Sequence, residues 1–571
     1  MREKLWAIAP GDTEVEKNLS DTLGLSPIIA RLLANRGVDD LQKARLFLDT
    51  PLAALEDPMK MAGMDKAVSR VIESLDRGEK IMVYGDYDVD GVTATALLYL
   101  FLNEIGAHAG YYIPERGKEG YGLNSAAITS LAEAGAKLII TVDNGINAVE
   151  AVDHANGLGV DVIITDHHLP GPILPGAVAA LNPNREDCPY PCKGLSGVGV
   201  AFKLCMAVRS QLRQRGVEVD TLPNLKRYLD LVAIGSVADC SPLVGENRLL
   251  TRHGISELRA ATRPGLTALK QVAGVNGGLT SRDIAFALAP RLNAAGRLGK
   301  ADMGVDLLIT GNSGEGARIA HKLDEENRKR QDIQKKMLDE AIRKAGQEID
   351  FTQEKAIVIG ADGWNPGVAG LVASKLTETF GLPTLVACFN GEQGVGSARS
   401  VAGFDVTAAL SKVSGRLVKF GGHKLAAGFT VNRDGFEVFR REFLCLARNE
   451  IEPSQIKPTI KIDCEVNPGG IDREFLRQLE TLEPYGEGNP QPVFISRGVR
   501  FTEVCYMGRD ESHARLTLPG GLQALAFSKA EKFRGLDVPK TPLDIVYVAE
   551  VSTWRDMERI QLRLLDMDIS V

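Results

Sequence analysis

Residues 80–106 read KIMVYGDYDVDGVTATALLYLFLNEIG. Ile81, Met82 and Val83 form a short apolar run of the kind that makes a buried strand, and the stretch after Gly91 has the composition of a helix. Between them Asp86, Asp88 and Asp90 alternate, closed by Gly91. The spacing invites comparison with a calcium loop of the EF-hand type. That loop needs a bidentate Glu at its twelfth position and a helix on each side. Counted from Asp86, the twelfth residue is Leu97, and the preceding element is a strand. The acids therefore occupy a strand-to-helix turn. Three carboxylates crowded at a strand end repel one another unless a cation neutralises them.

Outward from this turn the same grammar repeats. Strand-like runs KIMVYGD, AGYYIPE, KLIITVD, DVIITDH and GAVAALNP alternate with helical stretches such as NSAAITSLAEAG and INAVEAVDHANGLG. Alternation of this kind predicts an α/β fold with a doubly wound parallel sheet, whose active site lies at the carboxyl ends of the strands. Those ends carry chemistry. KLIITVD ends in Asp143, DVIITDHH in Asp166, His167 and His168, and the apolar run LVAIGSVAD presents Asp239. One acid at one strand end means little; acids and imidazoles at each of several ends point to a common site.

The chain has 571 residues, more than one hydrophobic core of about 250–300 residues accommodates, so several domains are expected. Residues 1–75 read as a helical region and 76–313 as the acidic α/β domain. Residues 314–348 form one long helical segment whose middle, DEENRKRQ, is polar all round, as in a helix that bridges domains. A second α/β domain over 349–453 contains the glycine-rich GGHKLAAG, in which His423 is expected in a flexible glycine turn. Beyond a Pro-bearing linker, residues 454–571 suggest short strands of a small OB-like β-barrel.

Net charge is −7, which excludes a chain coated in positive charge but not a local basic cleft. The eight cysteines are scattered and read as reduced thiols. No stretch approaches the roughly 20 apolar residues of a membrane span, and the N-terminus lacks an apolar signal core. A cytoplasmic protein with no membrane partner is the expectation.

A cluster of carboxylates with one or two histidines favours oxygen-preferring divalent ions. Four or more acids would overcharge one ion; two ions sharing a carboxylate would not. Such a pair, about 3.5–4 Å apart, is a clamp for hydrolysing phosphate esters.

DYDVDG (86–91), TVDNG (141–145), ITDHH (164–168) and SVADCSPL (236–243) resemble the four motifs of the DHH phosphoesterases, and GGHKLAAG (421–428) resembles the GGH motif of the accessory DHHA1 domain. PERGKEGYGLN (114–124) and PRLNAAGR (290–297) are similar to the branch of that family that degrades single-stranded DNA from its 5′ end. The resemblance implies a two-metal exonuclease releasing mononucleotides, with Mn²⁺ or Mg²⁺ as cofactor and roles in recombination and repair. It implies Asp88, Asp90, Asp143 (bridging), His167 and Asp239 as metal ligands, with Asp86 beside them. His168 would stand at the scissile phosphate, Asp166 would orient its neighbours, and His423 would approach the reacting phosphate. Arg116 and Arg297 are expected on the DNA, with Ser397 and Arg399 as a pocket for the 5′-terminal phosphate. Implied partners are a single-stranded-DNA-binding protein and a helicase. Tyr485 and Phe494 are candidates for stacking on bases.

Two other readings compete. A DHH enzyme for small substrates, such as short oligonucleotides or cyclic dinucleotides, shares the metal chemistry but has no use for the N-terminal region, the long helix and the barrel. A scaffold that has lost its ligands is opposed by the intact acids and His167.

Overall fold

The computed structural model describes residues 4–114, 122–260, 262–275, 277–297, 301–452, 458–554 and 557–570. Arg116 lies outside them, and so does the side chain of Arg297, whose backbone ends the helix Ala289–Arg297. The chain divides into two compact units, Ala9–Asp324 with Ile462–Val571, and Met1–Ile8 with Glu325–Lys461.

In the first unit five strands form a wholly parallel sheet in the order His108–Tyr112, Lys80–Tyr84, Ala136–Val142, Asp161–Thr165, Ala179–Leu181. Continuous apolar runs make these strands because both faces are covered. Side chains alternate across the sheet, so one run feeds two cores. Ile81, Val83, Leu138, Ile140 and Ile163 enter the core on one face; Met82, Tyr84, Ile139, Val162 and Ile164 enter the other. The chain leaves Lys80–Tyr84 towards one edge and returns on its opposite side at Ala136–Val142. The order of strands therefore reverses between these two, and the crevice at their carboxyl ends is where such sheets bind ligands. Asp86 follows one strand and Asp143 the other.

Asp239 departs from the strand-end pattern. The apolar run before it is a helix, Leu229–Ala238, with Leu229 to Val237 all buried. A segment apolar on every side has no period by which to tell helix from strand.

The C-terminal part of this unit is a seven-stranded mixed sheet, ordered Cys464–Glu465, Phe494–Val499, Leu543–Trp554, Met557–Ile569, Gln523–Ala526, His513–Thr517, Glu503–Met507. Its core is completed from the other end of the chain. Ile29, Leu32 and Leu33 of the helix Pro27–Asn35 and Leu19 of Thr13–Leu23 pack with Phe475, Phe501, Leu516 and Leu562. Each such buried aliphatic side chain contributes about 1.5–3 kcal/mol. The helix Met64–Arg77 instead packs on the parallel sheet, so the first 75 residues serve two cores. Phe494 is fully buried in the C-terminal core and Tyr485 packs against it, with its hydroxyl on Leu479 O at 2.6 Å; neither is placed to stack on a base.

A single helix, Ser313–Glu348, joins the units in sequence. Its polar middle is not wholly solvated: Asp324 is buried and accepts from Arg291 Nε at 2.9 Å. In the second unit the sheet order is Leu417–His423, Ala426–Asn432, Gln393–Arg399, Thr384–Asn390, Ile357–Asp362. Gly421 and Gly422 belong to its edge strand, so the expected glycine turn is a strand pair closed by Lys424 and Leu425. Gly422 has φ 149°, and a Cβ there would lie 2.4 Å from Ala426 O, which explains the glycine.

Candidate active site

Asp90 is buried. It lies in the first turn of the helix Val89–Glu104, and its oxygens accept the N–H groups of Gly197 (2.7 Å) and Val198 (2.9 Å). Those two residues open the helix Gly197–Gln214, whose end is capped by Ser196. The free N–H groups and dipole of a helix N-terminus favour a carboxylate. Only glycine fits at 197, where a Cβ would sit 2.6 Å from Asp143 Oδ1, and at 235, where it would sit 2.7 Å from Asp90 Oδ1.

Asp143 extends the sheet ladder by donating its N–H to Thr165 O at 2.9 Å, then turns with φ 63°, a region that L residues rarely enter. The turn is locked by Thr141 Oγ1 on Asn144 O (2.7 Å) and by Asn144 Nδ2 on Val142 O (2.9 Å). Asp88 caps the helix Val89–Glu104, its Oδ1 accepting Gly91 N–H at 3.0 Å, and Asp86 Oδ1 accepts Tyr87 N–H at 2.8 Å. Asp239 ends its helix and accepts Ser241 Oγ–H at 2.6 Å.

His167 joins these acids. Its Nε2 lies 3.1 Å from Asp143 Oδ1 and 3.9 Å from Asp90 Oδ2, and its Nδ1 lies 4.0 Å from Asp239 Oδ2. Asn184 and Asn182 fix the two histidines by donating to His167 O (2.6 Å) and His168 O (2.8 Å). Ligand atoms from Asp90, His167 and Asp239 come within 4.8 Å of one another, as do those of Asp86, Asp88 and Asp143, and of Asp143, His167 and His168.

The acids are electrostatically strained. Burial, then the charges of Asp239 and Asp88, push the Asp90 carboxyl well up; burial, then Asp88, Asp90 and Asp86, do the same to Asp143. Burial also raises Asp239, against the pull of His167, while burial holds His167 down. The neighbouring pair behaves oppositely. Burial disfavours charge on His168, but its 2.7 Å bond to Asp166 and the charge of that residue raise it to about 9. Burial likewise works against Asp166, yet His168 and the N–H of Ile146 hold it low. In the metal-free protein this favours the protonated His168 ring at neutral pH.

The donor set fits a pair of divalent ions. Oxygen donors dominate, and the buried His167 Nε2 makes no hydrogen bond among the described residues. Without cations, stability should fall as pH rises. Carboxyls raised in the folded state favour folding at low pH and lose that advantage as pH rises through their folded values. His168 adds the same sign, fully present below its ordinary 6.5 and lost through about 9. His167, held low, opposes this only at the acid end. The expected outcome is a Tm of the metal-free protein that declines from pH 6.5 to 9, with added Mn²⁺ restoring most at the alkaline end. Scanning calorimetry with and without a chelator checks it; a Tm flat with pH would contradict the crowding.

In the second unit Ser397 and Arg399 stand on one face of one strand, opposite Gly428 and Ala426. Ala426 also pairs with His423, which is exposed on the edge strand. Gly370 of the helix Pro366–Phe380 makes room for the guanidinium: a Cβ there would lie 2.8 Å from Arg399 Nη2 and 3.6 Å from Ser397 Oγ. Burial lowers the Arg399 pKa, and among the described residues no carboxylate pairs with it.

The fold has known counterparts. Residues 80–236 match the DHH family N-terminal domain, 353–448 the DHHA1 domain and 462–566 the RecJ OB domain. The single-stranded-DNA-specific exonuclease RecJ of Bacillus subtilis (strain 168) is 39% identical over 99% of this chain and 71% of the relative. The chain belongs to the RecJ family. The crystal structure of RecJ in complex with Mn²⁺ from Thermus thermophilus superposes with a TM-score of 0.84 at 30% identity, covering 100% of this chain and 80% of that one. The Mg²⁺ complex from the same organism gives 0.76 at 28%, covering 99% and 78%.

All eight acids and histidines expected at strand ends of this RecJ-family sheet converge, Asp239 from a helix end instead: Asp86, Asp88, Asp90, Asp143, Asp166, His167, His168 and Asp239. Gly296 brings the PRLNAAGR helix against the acidic turn, since a Cβ there would lie 2.5 Å from Tyr87 O. Sequence reasoning missed the amides of Gly197 and Val198, the supports Asn182, Asn184 and Ser241, and the clearances at Gly235 and Gly370. The stretch SGVGV, a capping Ser followed by glycines, was the one signal available for the Asp90 anchor.

Proposed function

We propose that this chain is a two-metal exonuclease that degrades single-stranded DNA from the 5′ end to mononucleotides, in recombination and repair. The observation that carries the reading is the convergence of acids and His167 from four chain segments at the point where the strand order reverses. Asp88, Asp90, His167 and Asp239 are assigned as ligands and Asp143 as the shared one, with Asp86 beside them. When bound, Mn²⁺ or Mg²⁺ would lower the pKa of the attacking water and neutralise charge on the phosphate.

The chain's own groups do the rest. The N–H groups of Gly197 and Val198 hold Asp90 in one orientation. His168, kept protonated by Asp166, presents a cation and a proton from its ring to the scissile phosphate. Ser397 and the carboxylate-free Arg399 suit a terminal phosphate, because a guanidinium matches phosphate oxygens bidentately. Arg116, Arg297 and His423 are assigned to further phosphate contacts. A single-stranded-DNA-binding protein and a helicase are the partners such an activity calls for, and a cytoplasmic setting goes with it. Among the described residues no helix is long and apolar enough to cross a membrane.

The test is digestion of long 5′-labelled single strands in Mn²⁺, beside duplex and dinucleotide. Early release of labelled mononucleotide, with duplex resistant, is expected; activity confined to dinucleotides would overturn the reading. Arg399→Ala should erase most of the preference for a 5′-phosphate over a 5′-hydroxyl end. The expected loss is about 10–100-fold in kcat/KM on phosphorylated ends, the worth of a charge-assisted bond of roughly 1.5–3 kcal/mol. Equal losses on both ends would count against the pocket.

A further inference from the structure

The loop at residues 485–490, YGEGNP, packs against the turn that follows Asp239. Leu243 donates its N–H to Glu487 O at 2.7 Å. The approach needs glycine on the loop side: a Cβ at 486 would lie 2.7 Å from Leu243 Cδ1, and one at 488 would lie 3.3 Å from Val244 Cγ1. Inside the turn Cys240 has φ 59°, a conformation that persists only where its surroundings hold it. Ser241, next along, donates to Asp239 Oδ2 at 2.6 Å.

The loop is itself fixed from its far side. Asn489 is fully buried and donates to Leu482 O and Pro484 O, each at 2.8 Å. Its Oδ1 accepts Arg36 Nε at 2.8 Å, and Arg36 Nη2 donates to Pro490 O at 2.7 Å. A buried amide with all these partners is rigid, and removing it leaves several polar groups unsatisfied. The turn has a second anchor in Asn247, whose Nδ2 donates to Pro242 O at 3.1 Å, so losing the loop contact loosens the turn without releasing it.

We propose that Asn489, gripped by Arg36, is a positioning residue for Asp239: through Glu487, Leu243 and Ser241 it fixes the Asp239 carboxylate for its metal ion. The inference rests on the assignment of Asp239 as a ligand. It makes the C-terminal loop and an N-terminal arginine part of the support of the catalytic centre, beside whatever DNA the C-terminal sheet contacts. Outer supports of metal ligands typically govern about 10–100-fold in affinity.

The experiment uses the full-length protein. Binding of Mn²⁺ alone is followed by the electron paramagnetic resonance of free Mn²⁺, without DNA, for wild type, Asn489→Ala, Ser241→Ala, the double variant and Asp239→Ala. Single-strand binding is measured in chelator. Asn489→Ala should weaken one class of Mn²⁺ site about tenfold and leave metal-free DNA affinity unchanged. Combined with Ser241→Ala, the losses should be less than multiplicative, because both act through one carboxylate. Unchanged Mn²⁺ affinity, or multiplicative losses, would overturn the proposal. Should Asn489→Ala fail to fold, Gly488→Ala, which presses on Val244 at a φ of 73°, carries the same expectation. If Asp239→Ala weakens Mn²⁺ binding and the loop variants do not, the positioning role alone falls. If Asp239→Ala binds as wild type does, the ligand assignment falls and this inference with it.

Discussion

Asp143→Asn should lose at least about a thousandfold in hydrolysis rate, roughly 4 kcal/mol, while the metal-free protein becomes more stable. The two effects share one cause. Asp143 is buried, 1% exposed, among Asp86, Asp88, Asp90 and Asp166, a crowding that cations between the oxygens would relieve. Replacing the carboxylate by an amide removes a repulsive partner and a ligand together. Asn also tolerates the left-handed backbone at φ 63° at least as well as Asp. For a unit of this size each kcal/mol of relieved repulsion raises Tm by about 1 °C. Single-turnover digestion in Mn²⁺ and calorimetry in chelator measure the two sides. Activity within tenfold of wild type, or a lower Tm in chelator, would break the link between crowding and catalysis.

The second large effect concerns Asp166, which is assigned no metal. It accepts the ring N–H of His168 at 2.7 Å and the backbone N–H groups of His167, His168 and Ile146 at 2.7, 3.1 and 3.0 Å. Asp166→Asn removes the charge that raises His168 to about 9. Its titration, followed by NMR in metal-free protein, should fall towards the ordinary 6.5. The rate should drop about a hundredfold, the usual scale for a positioned proton donor. The sign follows from the shift: below pH 6.5 both proteins carry the His168 proton, and between there and 9 only wild type does, so the deficit widens across that window. A deficit constant with pH would mean that Asp166 acts on geometry alone.

The acids were legible because each follows an apolar run, and topology gathers strand ends without any knowledge of packing. What grips them was not. The Asp90 carboxylate is held by backbone N–H groups, which carry no side-chain signature. Gly197 and Gly235 are dictated by oxygens that come from elsewhere in the chain. The run before Asp239 is apolar on every side, so its helix could not be told from a strand. GGH looked like a turn because glycine is commonest there, yet Gly422 is a strand residue excluded from bearing a side chain by Ala426 O. Phe494 and Tyr485 are candidates for stacking on composition alone, yet both belong to a core shared with helices at the opposite end of the sequence.

That last packing has a consequence for synthesis. Ile29, Leu32 and Leu33 meet their covering surface only in a sheet built from the final part of the chain; Arg36 and its partner Asn489 are 453 positions apart. A ribosome delivers the parallel sheet and everything it needs long before that surface exists. The first helices therefore spend most of translation as greasy, unsheltered segments beside a finished domain, the kind of species that chaperones hold. Docking of the helices before residue 50 onto the sheet after residue 463 is therefore a late event, and losing either segment leaves the apolar face of the other in water.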